Sequence, residues 1–175
     1  MKKVLAILIL VLCLSGTSFA QSQKKNTRQF LGTFGAWSAY KMKDNGADLC
    51  YMVSEPTKSE GKYKRRGDIF LIIANRPADK TFNVMSLTAG YTYKKGSTAT
   101  IQVDKNTPMD LFTSDDTAWT NTAKTDAAIT KQMRAGNVAV IKGKSSLGTL
   151  TTDTFSLKGF TKANDAIAKA CPRKK

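Results

Sequence analysis

Two hydrophobic patterns divide the chain. Val4 to Leu14 is an unbroken apolar run, VLAILILVLCL, whereas from Phe34 onward apolar residues come in short β-branched and aromatic bursts separated by turn residues. Bursts of that length predict an all-β domain. GAWSAYKM (35–42) and LCYMVS (49–54) flank Asp44-Asn45-Gly46, and Asn-Gly accepts the positive φ of a tight hairpin. IFLIIANR (69–76) is apolar at consecutive positions, which predicts a central strand covered on both faces. TFNVMSL (81–87) follows the Arg76-Pro77 break. GYTYK (90–94), a turn at Lys95-Gly96 and STATIQVD (97–104) predict a second hairpin, with Ile101 and Val103 alternating with Thr100 and Gln102. PMDLFT (108–113), NVAVIKG (137–143) and LTTDTFSLKGF (150–160) bring the total to roughly eight or nine strands.

The period changes twice. Asp126 to Ala135 places Ile129 and Met133 four apart, with Thr125 as N-cap and Gly136 as a stop. Thr161 to Ala170 places Ala163, Ala166, Ile167 and Ala170 on one stripe, which Cys171 extends before Pro172 ends the helix. The predicted architecture is an all-β sandwich with one short inserted helix and a C-terminal helix, spanning 34–175. Residues 21–33, polar and basic, are expected to form a flexible lead-in.

The N-terminal run has a separate meaning. Lys2 and Lys3 precede it and Ser18-Phe19-Ala20 follows it, the order of a secretory signal peptide over 1–20. Cleavage is expected between Ala20 and Gln21. The run is shorter than the ~20 residues a membrane span needs, and Leu12 before Cys13 does not fit a lipoprotein signal. No other segment is apolar for long enough to span a bilayer. The mature product is therefore expected to be soluble, in the periplasm or secreted.

Charge and cysteine count sharpen this. Removing the two lysines of 1–20 from the 28 basic residues leaves 26 against 13 acidic ones, a mature charge of +13. Such a domain attracts polyanions, although no long run of like charge marks a nucleic-acid binder, and none is expected as a partner. Once Cys13 leaves, Cys50 and Cys171 remain. An even pair in an oxidising compartment predicts a disulfide. Histidine is absent, which removes Ser-His-Asp and Cys-His catalysis and His-ligated metals.

The surviving motifs are weak. Gly143-Lys144-Ser145 lacks the glycine a phosphate loop needs at 138, which is Val. Ser59-Glu60-Gly61-Lys62 matches Ser-x-x-Lys without a later Lys-Thr-Gly. Asp44/Asp48 and Asp115-Asp116 lack calcium-loop spacing and read as turn carboxylates. Trp37 and Trp119 are expected in the core. No catalytic constellation and no cofactor site emerges.

Taken in order, FGAWSAY (34–40), Leu49-Cys50-Tyr51, Lys64-Arg65-Arg66-Gly67, Arg76-Pro77, GYTYK (90–94), Asp116-Thr117-Ala118-Trp119, Met133-Arg134-Ala135-Gly136, KSSLGT (144–149) and DTFSLKG (153–159) resemble the invasion-associated locus B family of exported proteobacterial proteins. The resemblance covers about residues 34–171. It implies an immunoglobulin-like β-sandwich, a periplasmic or surface location and no known cofactor, and it does not imply an enzymatic activity or a mapped ligand site. For members from pathogens it implies a link to invasion of host cells. Some members carry an additional early Cys; here Ser38, Tyr40 and Met42 fill that stretch, so one disulfide is available.

The expected function is a non-enzymatic envelope binding module. Lys62, Lys64, Arg65 and Arg66 in one loop, with Lys94 and Lys95 at a hairpin tip, are the candidate anion-binding residues. The expected partners are an anionic envelope component or host surface, such as lipopolysaccharide or a glycan, or a protein. The alternative is a periplasmic enzyme acting on cell-wall or other anionic substrates through carboxylate or Ser-Lys chemistry.

Overall fold

The computed structural model describes residues 28–173. The expected signal peptide, its cleavage point at Ala20-Gln21 and residues 21–27 lie outside the described residues. Eleven strands and two helices follow in chain order: β1 (Gln29–Phe34), β2 (Trp37–Asp44), β3 (Ala47–Ser54), β4 (Lys58–Gly61), β5 (Phe70–Arg76), β6 (Thr81–Thr88), β7 (Thr98–Val103), β8 (Met109–Ser114), β9 (Thr117–Trp119), α1 (Ala123–Ala135), β10 (Val138–Lys144), β11 (Leu150–Ser156) and α2 (Phe160–Ala170). The strands form one antiparallel sheet in the order β1-β2-β3-β5-β6-β9-β8-β7-β10-β11-β4. Its two halves share a single core, in which Trp37, Met52, Ile73 and Met85 from one half meet Ile101, Leu111, Ile141 and Phe155 from the other. The result is the sandwich-like, mostly antiparallel fold with one mid-chain and one C-terminal helix that the hydrophobic pattern predicts.

Alternation explains which residues enter the core. In β3, Cys50, Met52 and Ser54 point inward, and in β5, Leu71, Ile73 and Asn75 do. The outward residues of β5 are only partly covered. Phe70, Ile72 and Ala74 line open clefts with Tyr40, Tyr51 and Trp119, so the second cover expected over this strand comes from neighbouring side chains of the same sheet. Trp37 is fully buried and donates from Nε1 to the Ser156 carbonyl at 3.0 Å. Trp119 is not a core residue: in β9 the inward position belongs to Ala118, which turns Trp119 to the outer face.

Several local expectations need correction. Strand β1 begins at Gln29, so the lead-in ends sooner than its composition suggested. The Asn45-Gly46 hairpin forms, pairing Asp44 with Ala47. The expected hairpin of 90–104 does not. Only Tyr93 makes a bridge, to Ser145, while β7 pairs with β8 and β10. Helix α1 starts a turn earlier than expected, because Thr122 caps it by accepting from the Thr125 amide at 3.1 Å. Strands β4 and β9 carry no alternating apolar signal and escape the sequence pattern.

Helix α2 follows a close backbone approach. Gly159 has φ +90°, and a Cβ there would lie 1.9 Å from the Phe34 carbonyl oxygen. No other residue fits this crossing. Phe160 then packs edge-on to Trp37 at 5.0 Å, Ala163 and Ile167 enter the core, and Cys171 bonds to Cys50 with Cα atoms 5.9 Å apart. Helix α1 is fixed differently. Asp126 on its buried face accepts from the Met85 amide at 2.9 Å and the Thr120 hydroxyl at 2.5 Å. Burial pushes its carboxyl above the ordinary carboxylate range, against the effect of those two bonds.

Two outcomes follow. Replacing Cys50 and Cys171 together by Ala removes a closure of 121 residues and lowers unfolding free energy by about 4 kcal/mol, read from urea denaturation. Because the native carboxyl of Asp126 holds its proton to higher pH than the unfolded one, its contribution weakens as pH rises from the ordinary carboxylate value through the raised native one. Asp126→Asn lacks this dependence. Its stability relative to the wild type therefore rises across that interval in urea melts taken from acid to neutral pH.

Candidate anion-binding site

Three segments converge at one end of the sheet: the loop after β4, the irregular stretch 90–96, and the turn joining β10 to β11. Backbone bonds tie them together, from the Gly67 amide to the Gly90 carbonyl at 2.8 Å, from Lys94 to Lys144 at 2.9 Å, and from Ser146 to Thr92 at 2.8 Å. The basic loop and the expected hairpin tip, far apart in sequence, therefore belong to one surface.

The centre of this cluster is an ion pair between Arg66, a candidate anion-binding residue, and Asp153. Arg66 is not an exposed cation. Its Nη1 and Nη2 donate to the two Asp153 carboxylate oxygens at 2.8 and 2.6 Å, and its Nε donates to the Ala89 carbonyl at 2.7 Å. The two side chains are 4% and 1% exposed. Asp153 occupies an inward position of β11 between Thr151 and Phe155, where an ionised carboxylate requires a partner. Burial works against the Arg66 charge, but the hydrogen bonds and charge of Asp153 outweigh it and hold the guanidinium above its ordinary value.

Tyrosines enclose the pair. The Arg66 guanidinium lies 4.9 Å from the Tyr91 ring centre and 5.3 Å from that of Tyr63, within cation–π reach. Tyr91 shares a hydrogen bond with the Thr151 hydroxyl at 2.6 Å and stands edge-on to Tyr93 at 5.1 Å. Burial pushes both phenols up, so both are neutral at physiological pH. Gly143 makes room for them, since a Cβ there would lie 2.6 Å from the Tyr91 hydroxyl. The glycine of the false phosphate-loop match is thus a packing residue.

Outside the pair lies a cleft of about 530 Å³, lined among others by Lys62, Tyr63, Lys64, Arg65, Tyr91 and Leu147. Lys62, Lys64 and Arg65 are exposed on its rim, and Lys94 and Lys95 are exposed beyond the 144–146 segment. Among the described residues, none of these five cations has a carboxylate within ion-pair distance; apart from the buried Arg66–Asp153 pair, the ion pairs lie elsewhere, as in Lys43–Asp48 and Lys58–Glu60. Three of the four candidate calcium carboxylates have side-chain partners. Asp44 pairs with Arg76, Asp48 with Lys41 and Lys43, and Asp116 accepts from the Thr117 hydroxyl. Among the described residues no cluster of acidic or Cys side chains could hold a metal ion.

Arg66 alone in the basic loop is thus structural, and Asp153 is the residue sequence reading missed. Its signal was an acid on the apolar face of an alternating strand. Replacing Arg66 by Met strands that carboxylate in the core and costs about 3–5 kcal/mol in urea unfolding. Adding Asp153→Leu recovers most of the loss.

Comparison with known proteins bears on the whole of this architecture. No functionally curated protein matches the chain. The crystal structure of invasion associated protein B from Bartonella henselae superposes with a TM-score of 0.56 at 17% identity, covering 79% of this chain and 95% of that one; the likeness is one of fold. The family model described as "Invasion associated locus B (IalB) protein" matches residues 37–168. That span takes in both halves of the sheet, both helices' packing faces and the basic loop cluster, and the chain belongs to the IalB family.

Proposed function

We propose that the protein is an exported, non-enzymatic binding module of the bacterial envelope that engages an anionic partner through its basic loop cluster. One observation carries the reading: Lys62, Lys64, Arg65, Lys94 and Lys95 gather at one end of the sheet without carboxylate partners among the described residues. Five unneutralised cations on a shared surface create a local positive potential that a polyanion relieves. Arg66 takes no part, because its charge is consumed internally.

Export is supported from two directions. The signal-like pattern of residues 1–20 precedes a domain in which a disulfide joins β3 to the end of α2, and such bonds persist in oxidising compartments. The partner then belongs to the envelope or to a surface the cell meets, with lipopolysaccharide phosphates or an acidic glycan as the expected chemistry. The invasion named in the family description fits a protein that works at such a surface.

The test is binding of the chain beginning at Gln21 to immobilised lipopolysaccharide and heparin at low and moderate salt. Binding is expected at low salt, weakening as screening increases. Lys64→Glu with Arg65→Glu is expected to reduce it at least tenfold. Absent binding at both salt concentrations overturns the reading.

A further inference from the structure

Among the described residues five large apolar side chains are exposed: Phe30, Tyr63, Phe112, Leu147 and Leu150 are the set, and three of them sit in the basic loop cluster. Leu147 is 93% exposed and Leu150 71%. A single exposed leucine carries no message. Here, however, Leu147 lines the same cleft as Tyr63, Lys62, Lys64 and Arg65, and Leu150 pairs with Lys144 across the β10–β11 ladder. The apolar positions are surrounded by cations.

The turn that carries Leu147 is held firmly. The Gly148 amide donates to the Ser145 carbonyl at 2.8 Å, the Ser145 amide to the Thr149 carbonyl at 2.9 Å, and the Thr149 amide to the Ser145 hydroxyl at 3.1 Å. The Ser146 amide anchors it to Thr92. Leu147 is thus held outward on a fixed turn, and burying it elsewhere would break this network. Little chain entropy remains to be lost when it meets a partner.

We propose that this end of the molecule docks on an anionic lipid surface, with Leu147 and Leu150 entering the headgroup–acyl boundary while Lys62, Lys64, Arg65, Lys94, Lys95 and Lys144 contact the phosphates around them. The proposal rests on the anion-binding reading above and names its partner. Charge complementarity selects the occupant. A soluble polyanion answers the cations but offers nothing to two exposed leucines, whereas a bilayer with acidic headgroups answers both at once. Tyr63, amphipathic and at the cleft edge, has the character of a residue at a membrane interface.

The experiment is flotation of the chain beginning at Gln21 with vesicles of phosphatidylcholine containing phosphatidylglycerol, and with vesicles of phosphatidylcholine alone. Heparin binding is measured in parallel. The wild type is expected to float with the acidic vesicles at low salt and not with the neutral ones. Leu147→Ser is expected to lower vesicle partition about tenfold and to leave heparin binding unchanged. Lys64→Glu with Arg65→Glu is expected to reduce both. Leu147→Trp is expected to shift its emission to the blue on addition of acidic vesicles only.

Equal vesicle partition of wild type and Leu147→Ser, or no emission shift from Leu147→Trp, overturns the proposal, because the contact is then electrostatic alone. Heparin binding without vesicle binding also overturns it and leaves the broader reading standing; loss of both overturns the two together. Concentration-dependent dimerisation that Leu147→Ser abolishes assigns the leucines to a second copy of the chain and overturns the lipid assignment.

Discussion

Asp153 lies on the inner side of β11, in line with Phe155, and an ionised carboxylate at that depth is tolerable only if a cation reaches it with its hydrogen bonds intact. Arg66 does so with both Nη atoms, while its Nε satisfies the Ala89 carbonyl. This one requirement draws the basic loop down onto the end of the sheet. It places Tyr63 and Tyr91 about the guanidinium, sets the height of the stretch 90–96 against the β10–β11 turn, and leaves Lys62, Lys64 and Arg65 outside as a rim. The exposed cations owe their arrangement to a neighbouring residue whose charge never reaches solvent.

The remainder of the molecule depends on closure of the sheet. A single antiparallel ladder runs from β1 to β4 and folds over one core, and its two halves meet where Ala36 donates to the Lys158 carbonyl and Trp37 to that of Ser156. Gly159 permits this approach, and α2 then packs across β2 and β3 with Phe160 against Trp37. Helix α1 is secured by a different kind of contact, a buried carboxyl accepting from a strand amide. To that clasp α1 adds apolar packing of its own, since Ile129 and Met133 are also buried in the core.

Much of this was readable from residue order alone. Alternation in β7, the apolar runs that become β3 and β10, the Asn45-Gly46 turn, the Ala163–Ile167 stripe and the Cys50/Cys171 pairing all express local or compositional rules. The failures share a cause. Lys58–Gly61 is strand because the edge of β11 offers it a ladder, and nothing in its own side chains records that. GYTYK has strand composition, yet its tyrosines are used to pack over Gly143 and around Arg66. Trp119 looked like core because it sits at a strand position, but the phase of a three-residue strand gave the inner position to Ala118. Arg65 and Arg66 are the same letter in the sequence; only the reach of Arg66 to the buried Asp153 separates them. The candidate surface was legible as a set of cations, and its geometry was not, since that geometry is made by contacts between residues 23 to 87 positions apart.

The link between Cys50 and Cys171 has a consequence for damage tolerance. The loops at 62–68, 94–96 and 145–149 all fall within the covalent ring that this bond closes. A protease that severs the backbone in any one of them produces two pieces that stay chemically joined, held together by the sheet and the sulfur bridge. Cleavage in these exposed loops therefore does not release a fragment.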